Sequence, residues 1–377
     1  MKIRKMFEYA ISALLLLSCI AGIYFALTTA FEIGVLWLAG LCLVVGYFLS
    51  KFVYIFIHEL GHLLGGFAGG FKFYSFSVLF FNFIKVNNKL KLRFSFSKTI
   101  AGYCQMIPPK SDKLEKSFAK FVVGAYIASW AFLIVSLFII VTPFIFPSLI
   151  TSYVIYCLLA PSFISTFPTH FFNFSAIIDN PASDGAIMRG IKANSHSAQM
   201  QIKMISIQSL LFSGTRPRDL EASLFENLNF TSETEMYAPI FASYNLSRLL
   251  DLGDTVGVIK ESDFIKAHYK NTTEVYHELL LCDVFYTELV LKQNFSEAER
   301  LYYYIANLLK SQTDISTLRI RMAKEIFIDN AYSKALDTGV LAVNLADSYI
   351  AKGGSEMELS IIENLSKIAE SKKEGHF

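Results

Sequence analysis

The sequence predicts a mainly α membrane protein. Four transmembrane helices are expected, with a membrane-associated β-hairpin between the second and third and a C-terminal cytosolic all-α domain after the fourth. Three observations carry this expectation. Of the 377 residues, 53% are hydrophobic and 18% are charged, against about 25% charged in soluble domains. The long uncharged runs all lie in the first half. The two halves also differ in charge: residues 1–189 hold 15 Lys/Arg against 7 Asp/Glu, a net of +8, and residues 190–377 hold 19 against 25, a net of −6. A basic, apolar half followed by an acidic one divides the chain into domains at 1–190 and 191–377. The basic residues of the first half flank apolar runs, so no nucleic-acid partner is expected. Five cysteines, odd in number and without a CxxC spacing, exclude a disulfide framework and a cysteine zinc site.

The first span is expected at about 9–31, since residues 9–31 carry no charge and about 20 apolar residues cross a bilayer. Lys2, Arg4 and Lys5 precede it, as in a signal peptide, and Thr28-Thr29-Ala30 resembles a cleavage site. The apolar run exceeds the roughly 7–15 residues of a signal h-region, so an uncleaved span is expected. The second span is expected at 34–66. Residues 121–178 contain no Asp, Glu, Lys or Arg, which is too long for one span and right for two, at 119–142 and 149–172, with Pro143 and Pro147 marking the turn. The loop between the second and third spans is rich in Lys and Arg, whereas the turns near Glu32 and Pro143 have none. The positive-inside rule therefore places both termini and this loop in the cytosol. The abundance of Lys, Asn, Ile and Phe points to a bacterial cell membrane.

Within the loop, Lys89-Leu-Lys-Leu-Arg-Phe-Ser-Phe-Ser97 alternates polar and apolar residues, and Asn87-Asn88 is a turn signal. A β-hairpin over about 71–107 is expected, with one apolar face on the lipid bilayer. The second half shows almost no strand pattern. The cues Asn294-Phe-Ser-Glu-Ala298 and Asn330-Ala-Tyr-Ser-Lys-Ala335, with a weaker one at Asp254-Thr-Val-Gly257, each mark a turn entering a helix. Ala298 and Ala335 are 37 residues apart, near the period of about 34 of TPR repeats. A TPR-like helical-repeat domain that binds a protein partner is the expectation. His268 and His277 are expected at its surface.

The residues that carry chemistry are His58-Glu59-Leu60-Gly61-His62, an HExxH motif. On a helix the two histidines are one turn apart on one face and can bind one Zn²⁺. Glu59 stands beside the first, where it can serve as general base. Ionisable residues at the end of an apolar span are costly unless they act. Catalytic zinc takes three protein ligands, and the candidates for the third are Asp179, Asp184, His170 and His196. The Gly65-Gly66 and Gly69-Gly70 pairs are expected to flex where water enters.

Three segments together resemble the site-2 protease family of intramembrane zinc metalloproteases, over about residues 34–190. They are His58–His62, the segment Ala101-Gly102-Tyr103-Cys104-Gln105-Met106, similar to the family's GGYVKM-type strand, and Pro181-Ala182-Ser183-Asp184-Gly185, similar to its PxLDG segment. The resemblance implies that His58, His62 and Asp184 hold zinc and that Glu59 is the catalytic base. It also implies that Gly102, Tyr103, Cys104, Gln105, Met106 and Asn180 meet an extended substrate. The family's Asn position is Ala176 here, with Asn173 and Asn180 close by, and no PDZ insertion is present. The implied activity is hydrolysis of a peptide bond in a membrane-spanning or membrane-inserted protein or peptide. The alternative is an inactive membrane scaffold of the same fold that binds a protein through its helical domain.

Overall fold

The computed structural model describes residues 36–86, 89–94, 102–111, 113–145, 183–311, 313–349 and 351–375, with Asn173 and scattered positions between 10 and 34. The expected fourth span lies outside the described residues, as does nearly all of the first. The chain divides into two compact units, Met1–Met106 with Lys113–Ala198, and Ile107–Asp112 with Gln199–Phe377.

The first unit is built on α1 (Leu36–Ala68) and α2 (Leu114–Ile145). Leu36–Ala68, and Leu114–Val135 within α2, are long and apolar enough to cross a membrane. At 1.5 Å per residue, the 33 residues of α1 run about 50 Å, more than the roughly 30 Å of a hydrocarbon core. The expected start of the third span at 119 falls inside α2, whose first turns carry Glu115, Lys116 and Lys120. Charge ends the apolar pattern there, but these residues are good helix formers and do not end the helix.

Glycine sets how closely α1 and α2 approach. A Cβ on Gly61 would lie 2.6 Å from the Gly124 carbonyl oxygen, one on Gly65 2.3 Å from that of Lys120, and one on Gly124 2.2 Å from that of Gly61. The helices therefore touch backbone to backbone, as small residues allow in apolar surroundings. Gly65 and Gly66 are buried inside α1, so the expected flexing pair is a packing surface. Of the four glycines in the two pairs, Gly70, with φ +83, is the one that uses glycine's conformational freedom, in the turn after α1.

The expected hairpin is part of a larger element. Strands β1 (Lys72–Val78), β2 (Phe81–Val86), β3 (Lys89–Phe94) and β4 (Gly102–Ile107) form one sheet in the order β3-β2-β1-β4. β2 pairs antiparallel with both β1 and β3. The register sets Phe81 opposite Phe94 and Phe83 opposite Leu92, so the apolar positions share one face. Leu90, Leu92 and Phe94 are exposed. Phe76 and Val78 of β1 are buried with Tyr54 and Ile55 of α1, which seats the sheet against that helix. In sequence the unit continues to α3 (Asp184–Ala193).

The long elements of the second unit are all helices: α4 (His196–Ser213, which enters it at Gln199), α5 (Ala238–Leu252), α6 (Thr255–His268), α7 (Glu274–Tyr286), α8 (Phe295–Ser311), α9 (Ile315–Phe327), α10 (Tyr332–Leu345) and α11 (Lys352–Lys373). Each turn cue read from the sequence precedes a helix. Asp254 caps α6 by accepting from the Gly257 N–H at 3.0 Å, and Asn294 and Asn330 precede α8 and α10. Ala298 and Ala335 are fully buried in one core with Leu289, Ile305 and Ile326. His268 and His277 are half-buried rather than superficial, and a His277 ring nitrogen lies 3.1 Å from the Thr272 carbonyl oxygen.

Candidate metal centre

α1 carries His58 and His62 one turn apart and turns them toward α2. His58 Nδ1 lies 2.9 Å from the Ser129 hydroxyl, and His62 Nδ1 lies 3.2 Å from the Phe121 carbonyl oxygen. A carbonyl only accepts, so His62 Nδ1 carries a proton, and Nε2 is the nitrogen that faces Asp184. The His62 ring stacks on Phe121, centroids 4.5 Å apart, and the His58 ring on Tyr54 at 6.1 Å. Both imidazoles are thus fixed in direction as well as place.

Asp184 is the third member. It opens α3 behind the N-cap Ser183, whose hydroxyl accepts from the Ala186 N–H. Its Oδ2 lies 3.1 Å from His58 Nε2 and 3.4 Å from His62 Nε2. Two ligand atoms bound about 2.05 Å from one tetrahedral ion are roughly 3.3 Å apart, so both spacings suit a shared ion. One atom from each of His58, His62 and Asp184 lies within 4.8 Å of the others. Burial works against charge on Asp184, but the imidazoles of His62 and His58 outweigh it and hold the carboxyl well below its usual range. It is therefore ionised, the form a metal takes. Asn173 clamps it at two points: its Nδ2 donates to Oδ2 at 2.8 Å, and its Oδ1 accepts from the Asp184 N–H at 3.0 Å.

Glu59 is 7% exposed and lies against the start of β4. A Cβ on Gly102 would come within 3.1 Å of Glu59 Oε1 and 2.5 Å of Ile55 Cγ2, so only glycine lets the strand pass this close. Of the remaining expected substrate-contacting residues, Tyr103, Cys104, Gln105 and Met106 follow on β4. Ser75 of β1 donates to Gln105 Oε1 at 3.0 Å, and Tyr103 donates to Asn82 Oδ1 at 3.4 Å. β4 ends the sheet. Asn180, Asp179 and His170 lie outside the described residues. His196, at the start of α4, is not among the three described residues whose atoms converge to where a metal ion could be held.

Sequence reasoning did not find Ser129, the Phe121 carbonyl or the clamping role of Asn173. Ser129 had a weak signal, as a hydroxyl inside an apolar span. The Phe121 contribution is backbone and has none. A scan of protein-family models finds no match to the chain, and searches of curated proteins and of solved structures find none.

Proposed function

We propose that this chain is an intramembrane zinc endopeptidase that cuts a peptide bond in a membrane-spanning or membrane-inserted polypeptide. The observation that carries the reading is the convergence of His58 Nε2, His62 Nε2 and Asp184 Oδ2 on one point, with Glu59 beside them against the backbone of an edge strand. Two imidazoles and one carboxylate are a donor set suited to catalytic zinc, leaving a position open. When bound, zinc supplies Lewis acidity that activates water and polarises the scissile carbonyl. Glu59 takes the proton from that water and delivers it to the leaving amine. Asn173, Ser129 and the Phe121 carbonyl hold the three ligands in direction. A substrate segment adding to β4, an outermost strand among the described residues, is extended, which exposes its amide to the site.

Trp37, Val44 and Phe48 of α1 are 72%, 58% and 67% exposed. So much apolar surface on one helix is covered by lipid in this reading, with the chain multi-pass and both termini cytosolic. The second unit serves as a TPR-like domain that engages a protein partner. The test is incubation of the purified zinc-loaded chain with a panel of single-span membrane peptides, followed by mass spectrometry. Cleavage that falls about 10²–10⁴-fold in Glu59→Gln and stops with 1,10-phenanthroline supports the proposal. Cleavage unchanged in Glu59→Gln overturns it, and its absence across the panel favours the scaffold.

A further inference from the structure

The helical unit contains a cavity of about 330 Å³ walled by α4, α5, α7, α9 and α11. It reaches the surface at Tyr276 and Leu279, which are 38% and 45% exposed. Its walls include the buried Ile240 and Met357. Inside are one basic and two acidic side chains, Arg319, Glu358 and Asp283. Arg319 and Glu358 are 4% and 3% exposed. Asp283 accepts from the Ser243 hydroxyl at 2.7 Å and stands 3.6 Å from Arg319 Nη2. The guanidinium lies over the Tyr286 ring at 4.5 Å.

This cluster is incompletely satisfied. Glu358 Oε2 forms an ion pair with Arg319 Nε at 2.8 Å. Arg319 Nε and Nη1 and Glu358 Oε2 have no hydrogen-bond partner among the described residues. Buried donors and acceptors left unmade are destabilising, so a ligand that meets them recovers that loss. Charge selects its sign. Two carboxyls face one guanidinium, and burial holds both back from ionising, so an anion would oppose them further, whereas a cation offsets the negative charge they carry when ionised.

The atoms ask for a cationic donor at Glu358 and a neutral acceptor at Arg319, a few ångströms apart. A lysine side chain offers the first without the second. The first residue of a peptide offers both, as its ammonium and its carbonyl are separated by one Cα. The volume lies at the low end of the roughly 300–1,000 Å³ of ligand sites, right for the leading residue or two of a peptide with apolar side chains against the wall.

We propose that this cavity captures the free amino terminus of a peptide with apolar leading residues, its ammonium on Glu358 and Asp283 and its first carbonyl on Arg319. The site is independent of the metal centre and does not rest on the proteolytic reading.

The test is calorimetric titration of the full-length chain in detergent, with EDTA present so that the metal centre takes no part. The probes are Leu-Leu-Leu amide and its N-acetylated form. The free amine binds at least tenfold tighter than the acetylated peptide, and Glu358→Gln removes that preference. Ser247→Phe narrows the cavity without replacing a residue of the ionic cluster and abolishes binding of the free amine, which keeps the proposal testable where Glu358→Gln fails to fold. Equal binding of the two probes, no binding of the free amine at millimolar concentration, or binding unaffected by Ser247→Phe overturns it.

Discussion

Gly65→Ala places one methyl group between α1 and α2 and changes no metal ligand. The added Cβ would stand 2.3 Å from the Lys120 carbonyl oxygen, where ordinary contact begins at 3.4 Å. The helices must therefore part by about 1 Å at this point. The same packing brings Phe121 O within 3.2 Å of His62 Nδ1 and Ser129 Oγ within 2.9 Å of His58 Nδ1. A further ångström takes both beyond hydrogen-bonding distance. Loss of such supporting contacts lowers metal affinity by about 10–100-fold, equivalent to roughly 1.4–2.8 kcal/mol. Two effects on the fold oppose each other: alanine gains about 1 kcal/mol in helix propensity, and overpacking costs about 1–3 kcal/mol. The chain is left folded, and metal affinity carries the readout. Gly40 lies on the same helix with nothing within 4 Å of an added Cβ, so Gly40→Ala is the control. The assay is competition for Zn²⁺ against a chromophoric chelator. Affinity unchanged in Gly65→Ala, or lowered equally in Gly40→Ala, refutes the reasoning.

Asn173→Ala removes both hydrogen bonds to Asp184 and lowers zinc affinity about 10–100-fold in the same competition. Unchanged affinity would mean that Asp184 is held by its place on α3 alone. Stability of the helical unit depends on pH through Glu358. Burial pushes this carboxyl up to about 7 against the pull of Arg319, with Asp283 and Asp314 also opposing its ionisation. Its folded pKa exceeds the unfolded value of about 4.3, so its contribution is complete below that value and is lost as pH rises through about 7. Amide exchange in α9 and α11, corrected for intrinsic rates, accelerates across this range, and Glu358→Gln removes most of the slope. A slope that persists in the variant contradicts this assignment. Asp314 caps α9 in a reciprocal box with Thr317, so Asp314→Ala costs about 1 kcal/mol, read as faster exchange in that helix.

What could be read from the sequence was whatever one segment determines. HExxH needs only a helix to bring its histidines onto one face, and α1 supplies it. The alternation in Lys89–Phe94 needs only a partner strand, and β2 pairs with it in a register that gathers Phe81, Phe83, Leu92 and Phe94 on one face. Asp254, Asn294 and Asn330 announce helices because capping and turn chemistry is local. The rest depends on segments meeting. Gly65 and Gly66 read as hinges in isolation, since a glycine pair carries no record of the neighbour it admits; in the fold Gly65 is where α2 rests. Asn173 was noted only as a neighbour of a family position, and its role appears when Asp184 comes within 2.8 Å. The cluster of Arg319, Asp283 and Glu358 draws on three helices, and no spacing in the sequence connects them.

Zinc content of the detergent-purified full-length chain, wild type beside His62→Ala, Asp184→Ala and Glu59→Gln, tests the central claim most directly. The account predicts about one zinc per chain in the wild type, a value retained in Glu59→Gln and lost in the two ligand variants. A wild type without zinc after metal-replete purification would contradict it, and so would an Asp184→Ala chain that keeps its metal.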